Sequence, residues 1–139
     1  KFKKKAIFIK KKIFYNDLDK ILLENSSEKI FLKIDIEGCE YRILEDIIKH
    51  QDRITGLVCE FHDVDLHKEV IYKFINNFKL HYVHIHPNNN GLLDKEGNPT
   101  VLELTFEKNL QIIGEEKKIP NILDQNNNSE FPEQKLEFN

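Results

Sequence analysis

Seven polar residues close three β-rich segments of this chain. Asp35 and Glu37 end the run Ile30 to Glu37 (IFLKIDIE). Glu60 and His62 end the segment that begins at Leu57, and His84, His86 and Asn88 end the segment that begins at Leu80. Side chains alternate along a strand, so Asp35 and Glu37 are predicted to share a face, as are Glu60 with His62 and His84 with His86. A carboxylate beside an imidazole can take a proton from a hydroxyl in a transition state. The same oxygen and nitrogen donors, Asp35, Glu60 and His62, are a possible site for a divalent ion that lowers the pKa of a bound hydroxyl. Plainer roles compete. Glu37 or Glu40 could cap the following helix, Asp35 could pair with Lys33, and Glu103 could face solvent or serve as partner to Lys33 or a rim histidine. His50, His67 and His81 read as surface residues. Cys39 and Cys59 read as small apolar packing groups, and Ile34, Ile36, Cys59, Phe61, Val83 and Ile85 as core.

The elements that must position these residues follow from periodicity. Ile7 to Ile9 and Ile13 to Tyr15 have strand propensity around Lys10 to Lys12, and those lysines suit a solvated edge. Asn16-Asp17 offers a cap for a short helix through Leu18, Ile21, Leu22 and Leu23, closed by Asn25-Ser26-Ser27. Tyr41, Ile43, Leu44, Ile47 and Ile48 form a helical stripe, and Val70, Ile71, Phe74, Ile75 and Phe78 form another. Strands are predicted at about 30 to 36, 57 to 61, 80 to 86 and 101 to 107, with Thr55-Gly56 as punctuation before the second. The two helical crossovers are long enough for parallel connections. Residues 87 to 100 carry no helical stripe and hold two turn-prone segments, Asn88 to Gly91 and Asp94 to Gly97. The fourth strand is therefore expected to be antiparallel and inserted next to the parallel three. In such α/β sheets a ligand lies beyond the carboxyl ends of the parallel strands, where the polar residues are.

The chain has 139 residues, enough for one domain, with 40% hydrophobic and 32% charged residues. No apolar run reaches the ~18 residues of a membrane span. A net charge of -3 gives no general case for nucleic-acid binding, although seven of the first twelve residues are Lys. Two cysteines cannot build a disulfide framework, and a reducing, cytoplasmic compartment is expected. The sequence contains no methionine, so Lys1 reads as an internal residue of a longer chain.

The segment LKIDIEGCEY (32–41), followed by Cys59-Glu60-Phe61-His62, resembles the second half of FkbM-type S-adenosylmethionine-dependent methyltransferases. Asn16 to Asp19 is similar to the short element that precedes that strand in the family. His86-Pro87-Asn88-Asn89, Leu102 to Phe106 and Leu123 to Asn127 resemble the closing hairpin and tail of one branch. The resemblance spans roughly residues 16 to 138. It implies the C-terminal half of a Rossmann-like α/β sheet over 1–114; from residue 115 onward Asn, Gln, Glu and Pro dominate without periodicity, so 115–139 reads as a polar tail that is a strap or disordered. It also implies S-adenosylmethionine as cofactor and O-methylation of a hydroxyl on a sugar, glycan or other small molecule. Asp35 and Glu37 would face the cofactor, while Glu60 and His62 would hold or deprotonate the acceptor, with His62 as base. His84, His86, Asn88 and Asn89 would line the acceptor side. One departure from the family is plain: no G-x-G occurs among the five glycines, so the glycine-rich cofactor turn is expected upstream, in the other half of the domain. A non-catalytic α/β binding domain and a metal-dependent hydrolase are the competing readings.

Overall fold

The computed structural model describes residues 10–109, 114, 118–122 and 124–137. Ile7 to Ile9 and Leu123 lie outside these residues. Over 10–16 no strand forms; the chain runs into a turn and then α1 (Asp17–Glu24). The expected cap is replaced by a different arrangement. Asn16 is left-handed (φ 62) with no side-chain cap bond. Asp17 turns its carboxylate back to the Phe14 amide and Lys11 Nζ, each 2.8 Å away.

Then come β1 (Ile30–Ile34), a single 3₁₀ turn at Glu40–Arg42, α2 (Leu44–Lys49), β2 (Ile54–Phe61), α3 (Val64–Asn77), β3 (His81–Pro87) and β4 (Leu102–Glu107). The four strands make one sheet in the order β1-β2-β4-β3. β1 runs parallel to β2 (Ile34 beside Cys59), and β4 is antiparallel to both of its neighbours (Glu60 beside Glu103, His86 beside Glu103). The last strand of this sheet is antiparallel to the third, as the helix-free return requires, and it inserts between the second and third. β2, an inner strand bonded to β1 and β4, is buried along most of its length.

Gly56 lies within β2 and is no punctuation. The Phe31 ring sits 2.7 Å from where its Cβ would be, so the glycine admits a close approach rather than a turn. The apolar face of the sheet (Leu57, Cys59, Phe61, Leu104, Phe106) packs on α2 and α3 through Leu44, Ile47, Ile71, Phe74 and Phe78. Each such large side chain contributes about 1.5–3 kcal/mol by burial. Phe106 meets Phe74 and Phe78 edge-on, at ring separations of 5.9 and 5.5 Å. Val83 is only half-buried, as are Ile36 and Ile85, the latter two packed against the core.

His50 is a correction. It is 8% exposed, and its Nε2 lies 2.6 Å from Asp19 Oδ1, which ties α2 to α1. His67 is half-buried and stacks on the Tyr41 ring at 3.9 Å, whereas His81 is exposed. The described part of the tail is a strap. Lys118–Ile119 (β5) pairs with Leu136–Glu137 (β6), and Ile119 is buried.

Candidate functional site

β1 stops at Ile34, earlier than the sequence suggests, because Glu37 (φ 54) and Gly38 (φ 87) take left-handed conformations and turn the chain sharply. Asp35 and Glu37 are thus on a turn rather than on alternate positions of a strand, and both are exposed. Their carboxylates nonetheless meet one ring nitrogen of His62, with donor atoms of the three residues all within 4.8 Å of one another. His62 follows the end of β2 directly and is mostly buried.

Glu40 holds this corner together. Its side chain is wholly buried, and Oε1 accepts bonds from the amides of Ile36 (3.1 Å) and Gly38 (3.2 Å) and from His62 Nδ1 (3.1 Å). Neither Glu37 nor Glu40 caps α2, whose N-cap is Ile43 without a side-chain bond. With Nδ1 taken by Glu40, His62 aims Nε2 at Glu37 Oε2 (3.5 Å) and Glu60 Oε2 (3.9 Å). The Tyr41 hydroxyl donates to the His62 carbonyl and fixes the backbone beneath the ring. Burial raises the Tyr41 phenol well above its ordinary range.

Glu60 is buried at the end of β2, and Asn88 Nδ2 donates to its Oε1 at 2.6 Å. Burial raises its pKa above the ordinary carboxyl value; the Asn88 bond opposes the rise, and the adjacent Asp35 carboxyl adds to it. Asp35 does not pair with Lys33. That lysine reaches across β2 to Glu103, satisfying one of the roles expected of Glu103.

The structure therefore brings together Asp35, Glu37, Glu60, His62 and Asn88. It does not gather the other acceptor-side candidates into the same cluster. His84 Nε2 is 2.8 Å from Asp124 Oδ1, and His86 Nε2 faces Glu133 Oε2 at 3.7 Å, both on the strap. Asn89, 4% exposed, donates to the carbonyls of Asn128 (2.8 Å) and Phe131 (2.9 Å) and accepts from the Asn128 amide. Between this loop and the strap lies a cavity of about 460 Å³, lined in part by Asn89, Gly91, Leu93, Phe131 and Glu133. The cation group expected at Asp35, Glu60 and His62 is shifted: the closest donors are Asp35, Glu37 and His62, with Glu60 beside them.

Glu40 is the residue that sequence reasoning passed over as a cap. Its place before an apolar stripe in the IDIEGCE segment fits a cap equally well, so nothing local in the sequence marks the buried role.

Neither the curated proteins nor the solved structures gave a match to this chain. A family model did, over the part of the chain that runs from the start of α1 into β3 and holds Asp35, Glu37, Glu40, Glu60 and His62. Residues 16–83 match the methyltransferase FkbM domain, the family that LKIDIEGCEY and CEFH resemble.

Proposed function

We propose that the protein is the acceptor-side half of an S-adenosylmethionine-dependent methyltransferase that methylates a hydroxyl of a sugar or another small molecule. The observation that carries this reading is the His62 ring, held at Nδ1 by a buried carboxylate and presenting Nε2 to an open rim at the carboxyl end of a parallel strand. The sheet itself supports the assignment. β1 has a neighbour on one side only among the described residues, leaving an edge on which further parallel strands of an upstream half can pair.

S-adenosylmethionine supplies an electrophilic methyl group on a sulfonium. The exposed carboxylates of Asp35 and Glu37 suit the cationic side of such a molecule. The chain has no glycine-rich turn for the rest of it, and on this reading that part of the binding site falls to an upstream half of the domain. The work of this chain is on the acceptor. Asn88 and Glu60 orient the hydroxyl, and the Glu60–His62 pair receives its proton as the oxygen becomes nucleophilic.

His62→Ala and Asp35→Asn in the full-length protein test this reading. Each should reduce methyl transfer at least ~10-fold, and loss of the His62 base by up to the ~10²- to 10⁴-fold typical of general-base contributions. The melting temperature of Asp35→Asn should move little, because that carboxylate is exposed, whereas His62→Ala also takes a partner from the buried Glu40 and is read on the activity of the folded fraction. Variants that melt far lower while the folded fraction keeps normal activity would make the rim scaffold.

A further inference from the structure

Four carboxylates, Asp35, Glu37, Glu40 and Glu60, surround the single imidazole of His62. The nearest basic side chain along the strand, Lys33, is engaged by Glu103. That much negative charge in a partly buried corner calls for a cation. The corner is also oriented in the way metal ligands are. A ligating histidine gives its other ring nitrogen to a carboxylate, and a ligating carboxylate is itself hydrogen-bonded. Here Glu40 takes His62 Nδ1 at 3.1 Å, and Asn88 takes one oxygen of Glu60 at 2.6 Å, so that Nε2 is turned toward Glu37 Oε2 (3.5 Å) and Glu60 Oε2 (3.9 Å). Among the described residues the buried Glu40 Oε2 has no hydrogen-bond partner, leaving the negative charge of this carboxylate only partly answered. Asp35 and Glu37 close the open side from a turn that exposes both carboxylates, which gives an ion a route in from solvent.

We infer that Asp35, Glu37 and His62, with Glu60 at their side, form a binding site for one divalent cation of the Mn²⁺ class. One imidazole with several carboxylates favours such an ion over one that demands thiolates. The inference rests on the proposed acceptor rim and deepens it. With an ion held there, His62 Nε2 would be one of the residues that hold it rather than the base, and Glu60 would take the acceptor proton in its place.

Mn²⁺ itself is the probe, followed by calorimetry and by loss of the free-ion paramagnetic resonance signal. The wild-type protein should bind one equivalent. The Asp35→Asn/Glu37→Gln double variant should bind at least ~10-fold more weakly, in the range typical of lost metal-site groups. Both carboxylates are exposed, so this variant is expected to fold, and an unchanged circular-dichroism spectrum checks it. Asp52→Asn, whose carboxylate pairs with Lys79 elsewhere, should bind as wild type. Absence of saturable binding by wild type, or equal binding by the double variant, overturns the inference. Binding is read without turnover, so a site that takes Mn²⁺ in a protein that fails to methylate any hydroxyl would refute the proposed function and leave the site standing.

Discussion

Glu40 and Glu60 are both buried acids a few ångströms from the same imidazole, and they solve the cost of burial differently. A buried carboxylate costs several kcal/mol unless hydrogen bonds answer it. Glu40 gathers two backbone amides and the His62 Nδ1 on one oxygen. Burial raises the proton affinity of Glu60 in the folded state; the Asn88 amide opposes the rise and the facing Asp35 carboxyl adds to it. A carboxyl whose folded pKa is raised adds stability that is fully present below its unfolded value and is lost as pH rises through the folded value. Glu60→Gln removes that loss while keeping an oxygen for Asn88. In the presence of a chelator its melting temperature should match wild type near pH 4 and exceed it at pH 8, with methyl transfer by the full-length protein reduced. A variant that melts lower than wild type at pH 8 would show that Asn88 and His62 fully compensate the ionised Glu60. The position of His62 was legible in sequence because it lies two residues from Glu60 at a strand end. The role of Glu40 was not, because an acid ahead of an apolar stripe has the same sequence signature whether it caps a helix or folds back beneath a turn.

At the scale of elements, the loop after β3 and the tail form a joint centred on Asn89. The side chain of this 4%-exposed residue bridges two strap carbonyls and one strap amide, and Gln134 adds a bond to the Gly91 carbonyl. Asn89→Ala leaves those strap groups without their partner and should cost about 1–3 kcal/mol. It should also open the segment 124–137 to limited proteolysis before the sheet unfolds. Urea titration and a proteolysis time course measure the two effects, and a variant as stable and as resistant as wild type would show that the strap is held by other contacts. The sequence left this tail between strap and disorder, since its Asn, Gln and Glu content carries no periodicity and its bonds are side chain to backbone at long range. The antiparallel insertion of β4 was legible for the opposite reason: residues 87–100 contain no crossover helix, and only a hairpin can return the chain that way. His50 was not legible, because its partner Asp19 is on another helix and nothing local marks the pair.

For the whole molecule, the placement of β4 makes the sheet depend on its latest principal strand. β2 and β3 never touch as a pair; each is bonded to β4, from Gly56 beside Glu107 through Phe61 beside Leu102 on one side, and from His81 to Pro87 on the other. A chain ending at Thr100 keeps α1, α2 and α3 and three of the four strands, yet it should show no cooperative thermal transition, since both inner edges would be left open and Phe106 would be missing from the aromatic cluster. A cooperative transition in that truncated chain would mean that helix packing alone sustains the domain. The same dependence has a consequence for biosynthesis. Contacts between segments far apart in sequence slow folding because loop closure must precede their reward. During translation β2 and β3 emerge with unsatisfied edges and wait for residues 102–107, which the ribosome delivers at ~5–20 residues per second. That interval is when wrong strand pairing competes. Slowing translation after residue 107 rather than before residue 102 is therefore expected to raise the yield of folded protein, even though most of 88–107 lies outside the proposed acceptor rim.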